Sequence, residues 1–309
     1  MFRLTPALMD YIWGGTRLKE EYGKQTPLPA VAESWEVSAH RHGMSVIRGG
    51  EYDGMALADY VRLHPEAVGA GFSPEDAFPI LVKLIDAREN LSVQVHPGDD
   101  YARLHENSPG KTEMWYILEA EPDACLYLGV NRDLTKEEFA RRIADNTVEE
   151  ALLRCPVAPG EAYMVRAGTL HAIGRGIVLA EIQQSSDITY RVYDYGRLGQ
   201  DGKPRPLHIA QALEVAELCF RPQAPFADPP APEGAWEITR CPYFTLSGIA
   251  VDGRLSFEAP AASFRALVCI EGEAQAGELI LRKGDTAFLP AGEVCALTGR
   301  ARLLAAGWK

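Results

Sequence analysis

Two stretches decide the fold: GEAYMVRAGTLH at residues 160–171 and GDTAFLPAGEVC at residues 284–295. Each begins with glycine, places a second glycine eight positions later and ends three positions after that. The copies differ at the last position, which is His171 in the first and Cys295 in the second. Around the second copy, short apolar runs follow one another at regular spacing: 243–251, 255–258, 264–271, 278–282, 286–290 and 301–306. Runs of that length and spacing predict a small barrel or sandwich of strands.

The repeated pattern resembles the second conserved motif of the cupins, which are jelly rolls. The resemblance implies an all-β chain with helical insertions, built as two cupin-type jelly-roll barrels. Helices are expected at 53–68, 135–153 and 207–218 from apolar spacing and acidic first turns. RPQAPFADPPAPEG at 221–234 holds five prolines and reads as a stiff linker. The expected division is a catalytic domain over 1–220, a linker over 221–234 and a small β domain over 235–309. Residues 235–309 contain no histidine, so the second barrel has the frame without the ligands.

The chemistry concentrates in LSVQVHPGDDYARLHENSPGKTE, residues 91–113. Gln94 and His96 stand two apart in a strand-like run and point to one face. Lys111 and Glu113 repeat the spacing before the apolar run 114–118, and His171 lies in the repeat. Two imidazoles, a carboxylate and a carboxamide make a divalent-metal set, and His2Glu is a ligand set catalytic zinc uses. His105 lies nine residues after His96 and is read as a loop histidine, while His40, His42, His64 and His208 read as surface or helix residues. Glu33 and Glu36 read as members of a half-buried strand without chemistry. Lys83 interrupts the apolar run FPILVKLID, a costly place for a charge unless it faces a polar cavity or a partner.

QVHP, KTEMW, GTLHAIG and EIQQSSDITYRVYDYGR, with the earlier WGG and AESWEVS, together resemble the type I mannose-6-phosphate isomerases in their short bacterial form. The resemblance runs from Trp13 to about Arg197. It implies one zinc ion on Gln94, His96, Glu113 and His171, and an aldose–ketose isomerisation through an enediol. It makes Arg191 the active-site arginine in the spacing E-x5-D-x3-R, with Glu181 and Asp187. Glu181 and Lys111 are both candidates for the general base. Lys83, Ser92 and Asp187 are expected to bind substrate, and phosphate is expected to meet some of Lys83, Ser92, Lys111 and Arg191. The strand 33–38 is a possible wall of the pocket. A ferrous oxygenase on the same barrel, a non-catalytic sugar-binding protein and an isomerase of another aldose are the alternatives.

Composition agrees with such an enzyme. The 309 residues are 47% hydrophobic and 24% charged, with a formal net charge of −12. A pI near 5.1 leaves no basic field for nucleic acid. No apolar run approaches the ~20 residues of a membrane span, and residues 1–15 lack the succession of a secretory leader. Six scattered cysteines without a CxxC read as reduced thiols. The expected partner is a sugar phosphate, the location cytoplasmic, and the assembly a monomer or homodimer.

Overall fold

The strand Ile80–Ala87 is buried along its whole length, as its apolar sequence ILVKLIDA requires of a strand covered on both faces. Around it the computed structural model, which describes residues 1–199, 202–227 and 233–308, builds a seven-stranded antiparallel sheet. Its order is Phe226–Ala227, Glu161–Val165, Glu113–Ala120, Ile177–Gln184, Ile80–Ala87, Glu33–Val37 and Ala7–Met9. A five-stranded sheet lies against one face, in the order Leu152–Pro156, Cys125–Val130, His171–Ile173, Val93–Val95 and Tyr190–Tyr193. A third sheet of eight strands carries residues 234–307 together with Phe2–Thr5 and Val46–Arg48. The architecture is mostly β with helices inserted between strands, as expected, in jelly-roll-like sheets that stay open rather than closing into barrels.

Alternation along Ile80–Ala87 divides the molecule. Ile80, Val82 and Leu84 join Met114, Tyr116, Val178 and Ile182 in a core shared with Phe244, Phe264, Phe288 and Leu304 of the eight-stranded sheet. Ile85 and Ala87 turn the other way and pack with Trp13, Trp115, Leu128, Tyr163, Ile173 and Leu179 between the seven- and five-stranded sheets. The C-terminal strands therefore pack on the back of the sheet whose front carries the chemistry. Phe2, Phe288, Phe264 and Phe78 form, in that order, a chain of rings with centroids 5.2, 4.8 and 5.2 Å apart, tying the first residues to the last strands.

Several elements differ from expectation. The runs 243–251 and 255–258 are one strand, Thr245–Glu258, paired along its full length with Val294–Gly307. Gly253 and Gly299 stand opposite each other at φ +100° and +122°, so the gap between the two runs is a bend in a continuous ribbon. The expected helices contract to Leu57–Leu63, Lys136–Ala144 and Ile209–Val215. The segment around His105 is not a loop but the helix Asp99–His105, with acids in its first turn and Arg103 and His105 in its last. Within the proline-rich segment, Phe226–Ala227 pairs with Glu161–Val165 at a sheet edge, where missing amide donors cost nothing. Residues 228–232 of that segment lie outside the described residues. Phe2–Thr5 and Val46–Arg48 belong to the C-terminal sheet, so backbone pairing crosses the expected 1–220 and 235–309 division. In the repeat, Cys295 sits in an apolar cluster with Ile249, Leu267, Leu281 and Leu297, where His171 has polar neighbours.

Glu36 fastens the two halves. Its fully buried carboxylate pairs with Lys24 at 2.6 Å and accepts hydrogen bonds from Ser34 Oγ at 2.6 Å and Thr286 Oγ1 at 2.7 Å. Glu36→Ala leaves the buried Lys24 ammonium without its counter-charge, which is expected to lower the unfolding free energy by about 3–5 kcal/mol. Urea denaturation measures it, and a loss below about 1 kcal/mol contradicts this role.

Candidate metal centre and substrate cavity

Two rows of side chains face each other between the seven- and five-stranded sheets. On the five-stranded sheet, Gln94 is directly opposite His171 on one side and Arg191 on the other. Directly opposed residues of antiparallel strands share a face, so carboxamide, imidazole and guanidinium point one way. On the seven-stranded sheet the register aligns Trp35, Lys83, Glu181, Trp115 and Tyr163. Glu113 lies two residues before Trp115 on the same face, and His96 follows the end of the strand Val93–Val95.

His96, Glu113 and His171 thereby meet in the interior, each about 1% exposed or less. One donor atom from each lies within 4.8 Å of the others. His96 Nε2 is 3.5 Å from Glu113 Oε2, and His171 Nε2 is 3.4 Å from Glu113 Oε1. Two ligands ~2.1 Å from a tetrahedral zinc ion stand roughly 3.4 Å apart, so these separations suit one shared cation. The tautomers suit it too. His171 Nδ1 lies 2.8 Å from the Thr169 carbonyl, which only accepts, so its proton is on Nδ1 and Nε2 offers a lone pair. His171 Nε2 and both Glu113 oxygens are buried without a hydrogen bond of good geometry. The Lys111 ammonium stands 2.8 Å from Glu113 Oε2 and donates to His96 Nε2 at 3.2 Å.

Charge states follow from this burial. Burial, aided by the Lys111 ammonium, pushes His96 down to about 3. Burial also lowers His171. Burial alone would raise Glu113, but Lys111 and the imidazoles outweigh it and hold the carboxyl well below its usual range. Both rings are therefore neutral and ligand-competent at neutral pH. The sign for stability is definite: between about 3 and the ordinary 6.5, an unfolded His96 takes up a proton that the folded one refuses. Glu113 acts in the same direction below its ordinary 4.5. The metal-stripped protein is expected to be most stable above pH 6.5 and to lose stability steadily as pH falls below it. Thermal midpoints from pH 7.5 to 5 test this, and a flat profile contradicts it.

Beside the cluster opens a cavity of about 410 Å³, lined in part by Trp35, Lys83, Lys111, Glu181, Arg191 and Arg205. Lys83 Nζ is 3.0 Å from Glu181 Oε1, 3.4 Å from Glu33 Oε2 and 5.1 Å from the centre of the Trp35 ring. Burial opposes its charge, but the two carboxylates outweigh burial and raise its pKa above that of an ordinary lysine. Trp115 Nε1 donates to Glu181 Oε2 at 2.9 Å. Arg191 Nε donates to Ser92 Oγ at 3.1 Å and Nη1 to the Pro206 carbonyl at 3.1 Å, both neutral acceptors. Desolvation and the nearby Arg205 depress the Arg191 guanidinium. Arg205 holds Asp194 with Nε at 2.7 Å and Nη2 at 2.5 Å.

The structure thus gathers His96, Glu113, His171 and Lys111 at one point, Lys83 with Glu181 at a second, and Arg191 with Ser92 at a third. Gln94 lines the cavity between His171 and Arg191. Asp187 lines the same cavity, with its Oδ2 2.6 Å from His42 Nδ1. Sequence reading gave Glu33 no chemistry, took His42 for a surface residue and assigned no role to Trp115 or Arg205; the strand 33–38, expected as a possible wall, does contribute Glu33 and Trp35 to the cavity lining. Glu33 and Trp35 lie two apart on one strand, the same signal that exposed Gln94 and His96. Glu36, on the other face, has the structural role expected of it.

The family description "Phosphomannose isomerase type I, catalytic domain" matches residues 1–123. The chain is 39% identical over 294 residues to the mannose-6-phosphate isomerase ManA of Bacillus subtilis, covering 93% of this chain and 92% of that protein. The chain belongs to the mannose-6-phosphate isomerase family. It is also 47% identical over 216 residues to the probable mannose-6-phosphate isomerase GmuF of the same organism, covering 70% of this chain and 68% of that one. A crystal structure of the mannose 6-phosphate isomerase from Bacillus subtilis superposes with a TM-score of 0.87 at 34% identity, covering 99% of this chain and 98% of that one. The putative mannosephosphate isomerase of Archaeoglobus fulgidus, 21% identical with a TM-score of 0.81, shares the fold. Membership of this isomerase family replaces the oxygenase and non-catalytic alternatives. Among the described residues no helix is long and apolar enough to cross a membrane.

Proposed function

We propose that the chain interconverts mannose 6-phosphate and fructose 6-phosphate at one zinc ion held by His96, Glu113, His171 and Gln94. The carrying observation is the buried His96–Glu113–His171 triad, with its ligand-ready lone pairs, beside a cavity rich in cations. His96, Glu113, His171 and Gln94 would hold the ion there, and it would supply Lewis acidity to the sugar's carbonyl and hydroxyl oxygens.

Glu181 is the base for the carbon-bound proton. It is a carboxylate fixed by Lys83 and Trp115, so it accepts the C2 proton without reorienting and returns it to C1. The oxygens need the complementary transfer. O1 gains a proton as the enediol forms, and O2 loses one as the ketose carbonyl forms. The Lys111 ammonium, next to the triad, gives a proton to O1 as the enediol forms and takes one back from O2 as the ketose carbonyl forms.

Arg191 grips the phosphate. Among the cavity's cations its partners are neutral oxygens, so its charge is left for a dianion, whereas Lys83 and Arg205 already serve carboxylates. Ser92 aims it. Arg191 and His171 lie two strands apart, about 9.6 Å by strand spacing, a length an open six-carbon phosphate ester bridges. Reduced thiols fit a cytoplasmic location, and all six cysteines are free.

A coupled assay of fructose 6-phosphate formation tests the reading. Activity is expected to disappear in a chelator and return with zinc, with one zinc per chain by X-ray fluorescence. Full activity in the metal-stripped protein contradicts it.

A further inference from the structure

A second group of metal-capable side chains is separate from the buried triad and shares the cavity, of which His42 and Asp187 are lining residues. His40 and His42 lie on the turn of the hairpin Ala39–His40 and Gly43–Met44, and Asp187 lies between the strands Ile177–Gln184 and Tyr190–Tyr193. His42 Nδ1 is 2.6 Å from Asp187 Oδ2, and His40 Nε2 is 3.7 Å from Asp187 Oδ1. The two rings stand edge to face at 5.0 Å. One donor atom from each residue lies within 4.8 Å of the others. The His42 amide contacts His40 Nδ1 at 3.3 Å, and the His40 ring leans on Trp35 at 5.9 Å, so the ring is held with Nε2 towards Asp187.

We propose that His40, His42 and Asp187 form a second divalent-cation site, specific for borderline transition metals such as zinc, cobalt or nickel. Two imidazoles and one carboxylate favour those ions over magnesium or calcium, which want oxygen donors. The site is half open, unlike the buried triad, so water completes its coordination and it fills after the inner one. Its ligands come from two segments far apart in the chain, so a cation there pins the hairpin to the segment that leads into Arg191. That narrows the mouth of the cavity and stabilises the folded state.

The test does not depend on isomerase activity, so failure of the isomerase reading and failure of this one are distinguishable. Purified full-length protein is dialysed against rising nickel or zinc, and metal per chain is measured by emission spectrometry. Two equivalents are expected in the wild type and one in His42→Ala, with the thermal midpoint rising on the second equivalent only in the wild type. A wild-type plateau at one equivalent, or a second equivalent that survives His42→Ala, overturns the proposal. So does magnesium that fills the second site equally well. Should His42→Ala fail to fold, the wild type alone decides. The second equivalent of cobalt should shift or broaden the His40 and His42 ring-proton resonances in NMR, and unchanged resonances overturn it.

Discussion

His171→Ala is expected to lose both the bound metal and at least three orders of magnitude of activity. Losing the polarisation of two substrate oxygens removes several kcal/mol of transition-state stabilisation, and ~4 kcal/mol is already a thousandfold. The loss is specific because the Thr169 carbonyl fixes His171 Nδ1 and leaves Nε2 pointed at Glu113. The fold should survive. Glu113 keeps its Lys111 partner at 2.8 Å, so no buried charge is orphaned. The measurement pairs metal content with kcat on the same sample. Metal retained at one equivalent with normal kcat contradicts the ligand assignment, whereas metal lost with normal kcat contradicts metal-dependent chemistry.

Glu181→Gln carries the other large effect, a fall of about 10²–10⁴ in kcat with metal content and KM nearly unchanged. The amide keeps an oxygen for Trp115 Nε1, and Lys83 keeps Glu33 at 3.4 Å, so the cavity wall stays in place. Exchange of deuterium from C2 into water should fall in parallel with kcat. A loss below tenfold, with exchange intact, moves the carbon base to Lys111. Lys83→Met makes the converse change. It strands Glu33 and Glu181 together in a buried site, and about 3–5 kcal/mol of stability should go with it. Melting curves of the two variants therefore separate a base from a structural partner.

Much of this was readable in the chain because periodicity carries it. The i, i+2 spacing of Gln94 with His96, and of Lys111 with Glu113, is a strand property that needs no knowledge of neighbours. Lys83 stood out because a charge in ILVKLID must face something polar. Trp115 and Glu33 stayed hidden for the same reason in reverse. Nothing local says that Trp115 lies opposite Glu181 or that Glu33 reaches Lys83, since register between strands 66 and 50 residues apart is a tertiary fact. His40 and His42 looked like surface residues because Asp187, 145 positions after His42, is what gives them a common point.

The sequence by itself determined the strand-rich class, the donor types and the faces on which they stand, because side-chain alternation and chemical identity are local properties. Tertiary structure decided which faces meet. It packed the C-terminal strands on the back of the seven-stranded sheet and left Cys295 in an apolar core. It also put one cation, Arg191, against neutral oxygens while the others found carboxylates. Those outcomes depend on strand register and sheet packing, which sum over many weak contacts between distant segments and leave no signature in any one of them.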